Sequence, residues 1–157
     1  MRRLREGQVS LAVNVNLRKE ISISRPMEEG IGKMATAYIV DAVRTAGGKR
    51  NGKLAGWHPV DMAAATLDAI VTRTGIDGGR VEDVIMGCVS QAGQQAMQVG
   101  RNAVLAAKTL PQHVPAVTID RQCGSSQQAI QFAAQAVMSG TMDMVIAAGV
   151  ESMTRVP

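Results

Sequence analysis

Aromatic side chains are nearly missing from this 157-residue chain: Tyr38, Trp57 and Phe132 are the whole set. Proteins that grip single-stranded nucleic acid stack bases on aromatic rings along a basic groove, and three scattered rings build no such platform. Cysteine is as scarce. Cys88 and Cys123 form neither a disulfide framework nor the paired spacing of a metal site. Free thiols suit a reducing compartment, so a cytoplasmic location is expected. Long apolar runs are lacking too, none approaching the ~20 residues that cross a bilayer, and no membrane span is expected.

The net charge of +4 hints at a nucleic-acid partner until it is located. Residues 1–33 hold seven Lys or Arg against four Glu, a net +3, which leaves +1 for the rest. The remainder is nearly neutral, and nucleic acid is set aside as a partner. Hydrophobic residues make up 46% of the chain, a globular composition rather than a disordered one. The length allows one core of ordinary size and not two full domains.

Residues 1–33 stand apart from the rest of the chain. Val9 to Leu17 alternates apolar and polar residues, a strand-like period, yet it is flanked by charge and by the loose SRPMEEGIGK. A targeting peptide would be poor in acids, and Glu6, Glu20, Glu28 and Glu29 argue against one. An extra strand is a second reading. The favoured one makes residues 1–33 an extension outside the fold, with Met34 as the natural start and residues 34–157 as the folded unit.

From Ala37 the pattern is regular. AYIVDAVRT reads as a strand, and GGKRNGKLAG after it as a flexible surface loop, since it lacks the spacing of a phosphate cradle. Pro59 suits a first helical position, and Val60 to Thr74 is a helix closed by Gly75. Glu82 to Val89 is the next strand, SQAGQQAMQ a neutral loop, and Val99 to Lys108 the next helix. Ala116 opens a third strand and Met144 to Ala148 is a fourth, after which GVESMTRVP trails off. Strands alternating with helices imply a parallel sheet covered on both faces, with loops at the C-terminal strand ends on the active side. A dinucleotide-binding fold shares this outline but needs Gly-x-Gly-x-x-Gly after the first strand, and TAGGKRNG does not supply it.

Chemistry points to Cys123. The segment AVTIDRQCGSS runs from a short strand through a polar turn into a helical pattern, with Ile130, Ala133, Ala134, Val137 and Met138 on one face and Gly140 as the stop. A thiol at a helix start meets unsatisfied N–H groups and the positive end of the dipole, which favour thiolate. Such settings bring a cysteine from about 8.5 to roughly 3.5–7.5, where it is a nucleophile at neutral pH. The competing reading is a buried small hydrophobe; Gly124, which lets a substrate approach the backbone, favours the nucleophile. Cys88, in VIMGCVS, is read as a buried small residue, His58 as a helix-entry residue, and His113, between Pro111 and Pro115, as outside the chemistry.

DRQCGSSQQAIQFAAQAVMSG, with IAAGVESM after it, resembles the nucleophile segment of the thiolases, the acyl-CoA acetyltransferases. YIVDAVRTAGGK, VEDVIMGCVSQAG, VGRNAVLAA and VPAVTIDRQCGSS resemble further segments of that family in the right order, so the likeness extends from Ala37 to Pro157. The resemblance implies an α/β fold: the first half of an α/β/α/β/α subunit, cut before the last strand of that half. It implies acyl transfer between coenzyme A thioesters, in thiolysis or condensation, through an S-acyl intermediate on Cys123. No permanent cofactor and no metal are implied; acyl-CoA and CoA are the partners, with a homo-oligomer, dimer or tetramer, for the complete enzyme. The family's later Gly-His-Pro histidine, its Cys-x-Gly-Gly cysteine, its Asn-Glu-Ala-Phe segment and the loop region that holds much of the coenzyme have no counterpart here, so the residues contacting coenzyme A are unknown. The chain alone is expected to be inactive. The alternative is a non-catalytic half-subunit needing a separate C-terminal chain; a condensing enzyme of the ketoacyl-synthase type fits RQCGSSQQA and AAGVESM less well.

Overall fold

The computed structural model describes residues 36–157 in full and the backbone of residues 9–17. In chain order the elements are β1 (Val9–Leu17), β2 (Ala37–Arg44), α1 (Pro59–Thr74), β3 (Asp83–Gly87), α2 (Val99–Ala106), β4 (Ala116–Ile119), α3 (Ser125–Met138) and β5 (Met144–Glu151). They form one sheet of order β2-β1-β5-β3-β4. β4, β3 and β5 pair in parallel, while β1 lies antiparallel to both β5 and β2. The four strands expected from Ala37 onward therefore all run one way, and β1 opposes them.

Alternation along the strands divides the core in two, because successive side chains point to opposite faces. Val84 and Met86 of β3, with Ile146 and Ala148 of β5, face Met62, Leu67 and Ile70 of α1 and Val99 and Val104 of α2. On the other face Ile85, Val145 and Ala147 meet Ala129, Ala133 and Val137 of α3. Helices on both faces are thus present, as the βα alternation requires. β3 and β5 are buried almost throughout, whereas β2 is largely exposed, with Tyr38, Ile39 and Val40 open to solvent.

Val9–Leu17 does not stand apart from the sheet. Its backbone pairs from Val9↔Glu151 to Asn16↔Met144 on one side and from Leu11↔Arg44 to Leu17↔Ala37 on the other. Among the described residues it is the strand that joins β2 to the rest. A boundary drawn at residue 33 therefore falls between two paired strands. The local alternation signals a strand, but which strands it pairs with depends on chain that lies far away in sequence. The expected start at Met34 lies outside the described residues.

Local chemistry explains the element ends. His58 Nδ1 accepts from Val60 N at 3.3 Å, capping α1 ahead of Pro59, so the helix-entry role holds. Gly75, at φ 65°, turns the chain out of α1 and donates to Val71 O. Asp68 of α1 accepts from Lys108 N, Thr109 N and Thr109 Oγ1 at 2.7–2.9 Å. Those bonds hold the chain just beyond α2, which stops at Ala106 and not at Lys108. The Gly and Lys loop is tethered rather than loose: Asn51 N donates to Thr154 Oγ1 at 3.2 Å, and Arg155 Nη1 to Ala55 O at 3.2 Å. β5 continues through Gly149 to Glu151, whereas the sequence pattern ends it at Ala148.

Candidate active site around Cys123

At the C-terminal ends of β3 and β5 a crevice of about 350 Å³ opens, lined by Cys88, Val89 and Ser90 on one side, Gln122, Cys123, Ser125 and Ser126 on another, and by Gly149, Val150, Glu151 and Met153. This is the end of a parallel sheet where ligands collect, because the strands part there as they enter different loops. Cys123 is exposed on it.

The turn that carries Cys123 is built by short polar side chains. Asp120 Oδ1 accepts from Gln122 N at 2.7 Å. The buried Ser125 hydroxyl donates to Gln122 O at 2.6 Å and accepts from Arg121 N at 2.9 Å. Arg121 reaches forward to Gln128 Oε1. Gln122 is thereby held at φ 49°, a left-handed conformation that non-glycine residues adopt rarely and that concentrates at functional sites. Cys123 beside it is lifted into the open while its neighbours are pinned.

Two glycines let this turn sit so low on the sheet. A Cβ on Gly87 would lie 2.5 Å from the backbone of Ser125 and Ser126, and one on Gly149 would lie 1.8 Å from Ser126 Oγ. With no side chain on either strand, the first turn of α3 rests directly on β3 and β5. The helix begins at Ser125 with Gly124 as its N-cap, so Cys123 stands one residue before the cap rather than on the first turn. Gly124 N and Ser125 N donate to Arg121 O and Gln122 O. Those two donors belong to the turn and not to a bound group.

Cys88 lies in the same crevice but is 1% exposed, in keeping with its reading as a buried residue. Burial first, then the negative charges of Glu151 and Asp120 and a hydrogen bond to Glu151, push its thiol up to about 12. Of the two thiols, then, one is kept protonated inside the wall and the other is presented to solvent. His113 is exposed, with Nε2 3.4 Å from Gly79 O, and neither His113 nor His58 lines the crevice.

Sequence reasoning missed Gln95 and Glu151. Glu151 accepts from Val89 N at 2.8 Å, Ser90 N at 3.2 Å and Gln95 Nε2 at 3.0 Å. Gln95 is fully buried and its amide oxygen accepts from Ser152 N at 2.6 Å. The loop SQAGQQAMQ does lie on the crevice side, but a glutamine among four gives no local sign that it will be the buried one. Among the described residues, no cluster of three or more His, Cys, Asp or Glu could hold a metal, and no helix is long and apolar enough to cross a membrane.

Residues 37–157 match the model of the thiolase N-terminal domain family. The chain is 56% identical over 124 residues to a steroid 3-ketoacyl-CoA thiolase of Mycobacterium tuberculosis, covering 79% of this chain and 30% of that protein. It is 46% identical over 125 residues to a beta-ketoadipyl-CoA thiolase of Acinetobacter baylyi, covering 79% of this chain and 31% of that one. The crystal structure of the Bacillus anthracis acetyl-CoA acetyltransferase superposes with a TM-score of 0.64 at 28% identity, over 98% of this chain and 31% of the other. The chain thus spans about three tenths of the length of the curated relatives it matches. With the crevice, the turn bearing Cys123 and these matches in agreement, the chain belongs to the thiolase family and carries its N-terminal domain.

Proposed function

We propose that this chain supplies the nucleophile of an acyl transfer between coenzyme A thioesters, and that Cys123 is that nucleophile. The observation that carries the reading is an exposed thiol on a strained, side-chain-stapled turn, opening onto a crevice in which the other thiol is buried. In the step, the Cys123 sulfur attacks the thioester carbonyl and a new carbon–sulfur bond forms. The bond to the coenzyme A sulfur breaks, and that sulfur leaves as a thiolate and takes up a proton in place of the one that Cys123 gave up to become the nucleophile. The names of the relatives, a steroid 3-ketoacyl-CoA thiolase and a beta-ketoadipyl-CoA thiolase, support a thioester substrate.

Thiolysis or condensation also requires proton movement at the substrate α-carbon. Cys88 is a poor agent for it, buried and held protonated, and neither histidine lines the crevice. The chain by itself therefore stops at the acyl-cysteine and turns over no substrate. The complete enzyme has no permanent cofactor, assembles as a dimer or tetramer, and works in a reducing, cytoplasmic setting that keeps both thiols free.

The test is incubation with acetyl-CoA, followed by peptide mass mapping and a turnover assay with acetoacetyl-CoA. One acetyl group on Cys123, none in Cys123→Ala and no turnover are expected; an unmodified Cys123 overturns the assignment. A second reading, a half-subunit that docks on a separate chain, is favoured by α3, whose Phe132 and Met138 are 43% and 37% exposed. Light scattering with a hydrophobic dye separates the two, since a dye-silent monomer leaves no face to dock.

A further inference from the structure

Parallel strands separate beyond their last ladder pair, and whatever spans the gap sets how wide it opens. The ladder between β3 and β5 ends at Gly87↔Gly149. Two residues further on, the Glu151 carboxylate reaches across: Oε2 accepts from Val89 N at 2.8 Å and Oε1 from Ser90 N at 3.2 Å. Gln95, fully buried, ties the knot from behind. Its Nε2 donates to Glu151 Oε1 at 3.0 Å and to Ser90 O at 2.8 Å, and its Oε1 accepts from Ser152 N at 2.6 Å. Side-chain bonds thus replace the missing ladder on both strands, and every polar atom of the Gln95 amide is used.

Val89, Ser90 and Glu151 line the crevice that holds Cys123, while Gln95 lies outside its lining. A carboxylate whose oxygens already take three N–H donors is fixed in place, and through those bonds it sets the shape of the crevice. We propose that Gln95 and Glu151 are positioning residues: they fix the width of the crevice opposite Cys123 and with it the alignment of a thioester carbonyl against the Cys123 sulfur. The inference rests on the acyl-transfer reading. Reacting atoms need near-attack geometry, and a displacement of an ångström costs heavily in rate. A small, freely diffusing alkylating reagent has no such requirement.

The experiment compares the unaltered chain with Gln95→Glu and Gln95→Met. It reads amide hydrogen exchange at Val89, Ser90 and Ser152, alkylation of Cys123 by iodoacetamide, and acetylation of Cys123 by acetyl-CoA. In Gln95→Glu two carboxylates face each other and the donor to Ser90 O is gone; in Gln95→Met the volume is nearly kept and the amide's bonds to Glu151, Ser90 and Ser152 are lost. In both, exchange at the three amides should quicken and acetylation slow by about tenfold or more, while alkylation stays within about twofold. Unchanged acetylation in both variants, or alkylation that falls as far as acetylation, overturns the proposal. If the unaltered chain takes no acetyl group, the acyl-transfer reading is what fails. The amide exchange then decides the clamp alone, with unchanged protection in Gln95→Glu removing it and quickened exchange sustaining it.

Discussion

Two thiols share one crevice, and their surroundings sort them. Cys88 is buried just past the end of β3 and faces the Glu151 carboxylate, so both desolvation and charge disfavour its thiolate. Cys123 is exposed on a turn whose carbonyls and amides are satisfied by Asp120 and Ser125. Iodoacetamide at neutral pH should therefore label Cys123 first, and Cys88 only once the chain is unfolded. Peptide mapping of a time course checks this, and equal labelling of the folded chain would remove the distinction. The strand-to-helix turn that carries Cys123 was legible in the sequence because strand, polar turn, glycine and helix succeed one another within AVTIDRQCGSS. The left-handed conformation of Gln122 was not, since glutamine has no preference for it and the bonds from Asp120 and Ser125 impose it.

At the scale of elements, the approach of α3 to the sheet depends on two positions without side chains. Gly87→Ala would drive a methyl group into the Ser125–Ser126 backbone, and Gly149→Ala would drive one into the Ser126 side chain. Overpacking of this kind costs about 1–3 kcal/mol, more where backbone must move. Gly87→Ala is accordingly the more damaging, and Ser126→Gly should recover part of the loss in Gly149→Ala but none of that in Gly87→Ala. Urea unfolding of the two single and two double variants measures the coupling; equal rescue would show that the helix shifts bodily. The sheet makes a second prediction. Since β1 is the strand that joins β2 to β5 among the described residues, deleting residues 1–17 leaves β2 without its ladder and β5 with an open edge. The shortened chain should aggregate or bind hydrophobic dye more than the full one, and size-exclusion chromatography shows which. An equally soluble chain of unchanged stability would mean that β1 adds nothing.

For the molecule as a whole, the raised Cys88 value makes stability depend on alkaline pH. The thiol ionises near its ordinary 9.0 when the chain is unfolded but is held up to about 12 when folded. Below 9.0 both states keep the proton and nothing changes; between 9.0 and about 12 the unfolded state alone gives it up and is favoured. The contribution is therefore intact at neutral pH and is lost as the pH rises through that window. Urea midpoints taken at pH 7, 9 and 11 should fall more steeply for the unaltered chain than for Cys88→Ala, whatever constant offset the smaller side chain introduces. Parallel slopes would show that the thiol is not the group responsible.

Periodicity alone located the strands and helices from Ala37 onward, short of their exact ends, and the βα alternation made the four strands from there parallel, with helices on both faces. The same local reading placed Cys123 at a strand-to-helix turn, where the structure has it exposed. Local signals have this reach because caps, turns and side-chain alternation are settled within a few residues. Pairing is not settled that way. That Val9–Leu17 sits between β2 and β5, that β5 runs on through Gly149 to Glu151, and that Gln95 is the glutamine buried behind the crevice were decided by tertiary structure. Each depends on contacts between residues far apart in the chain, such as Val9↔Glu151 and Gln95 with Glu151, and no window of local pattern contains both partners.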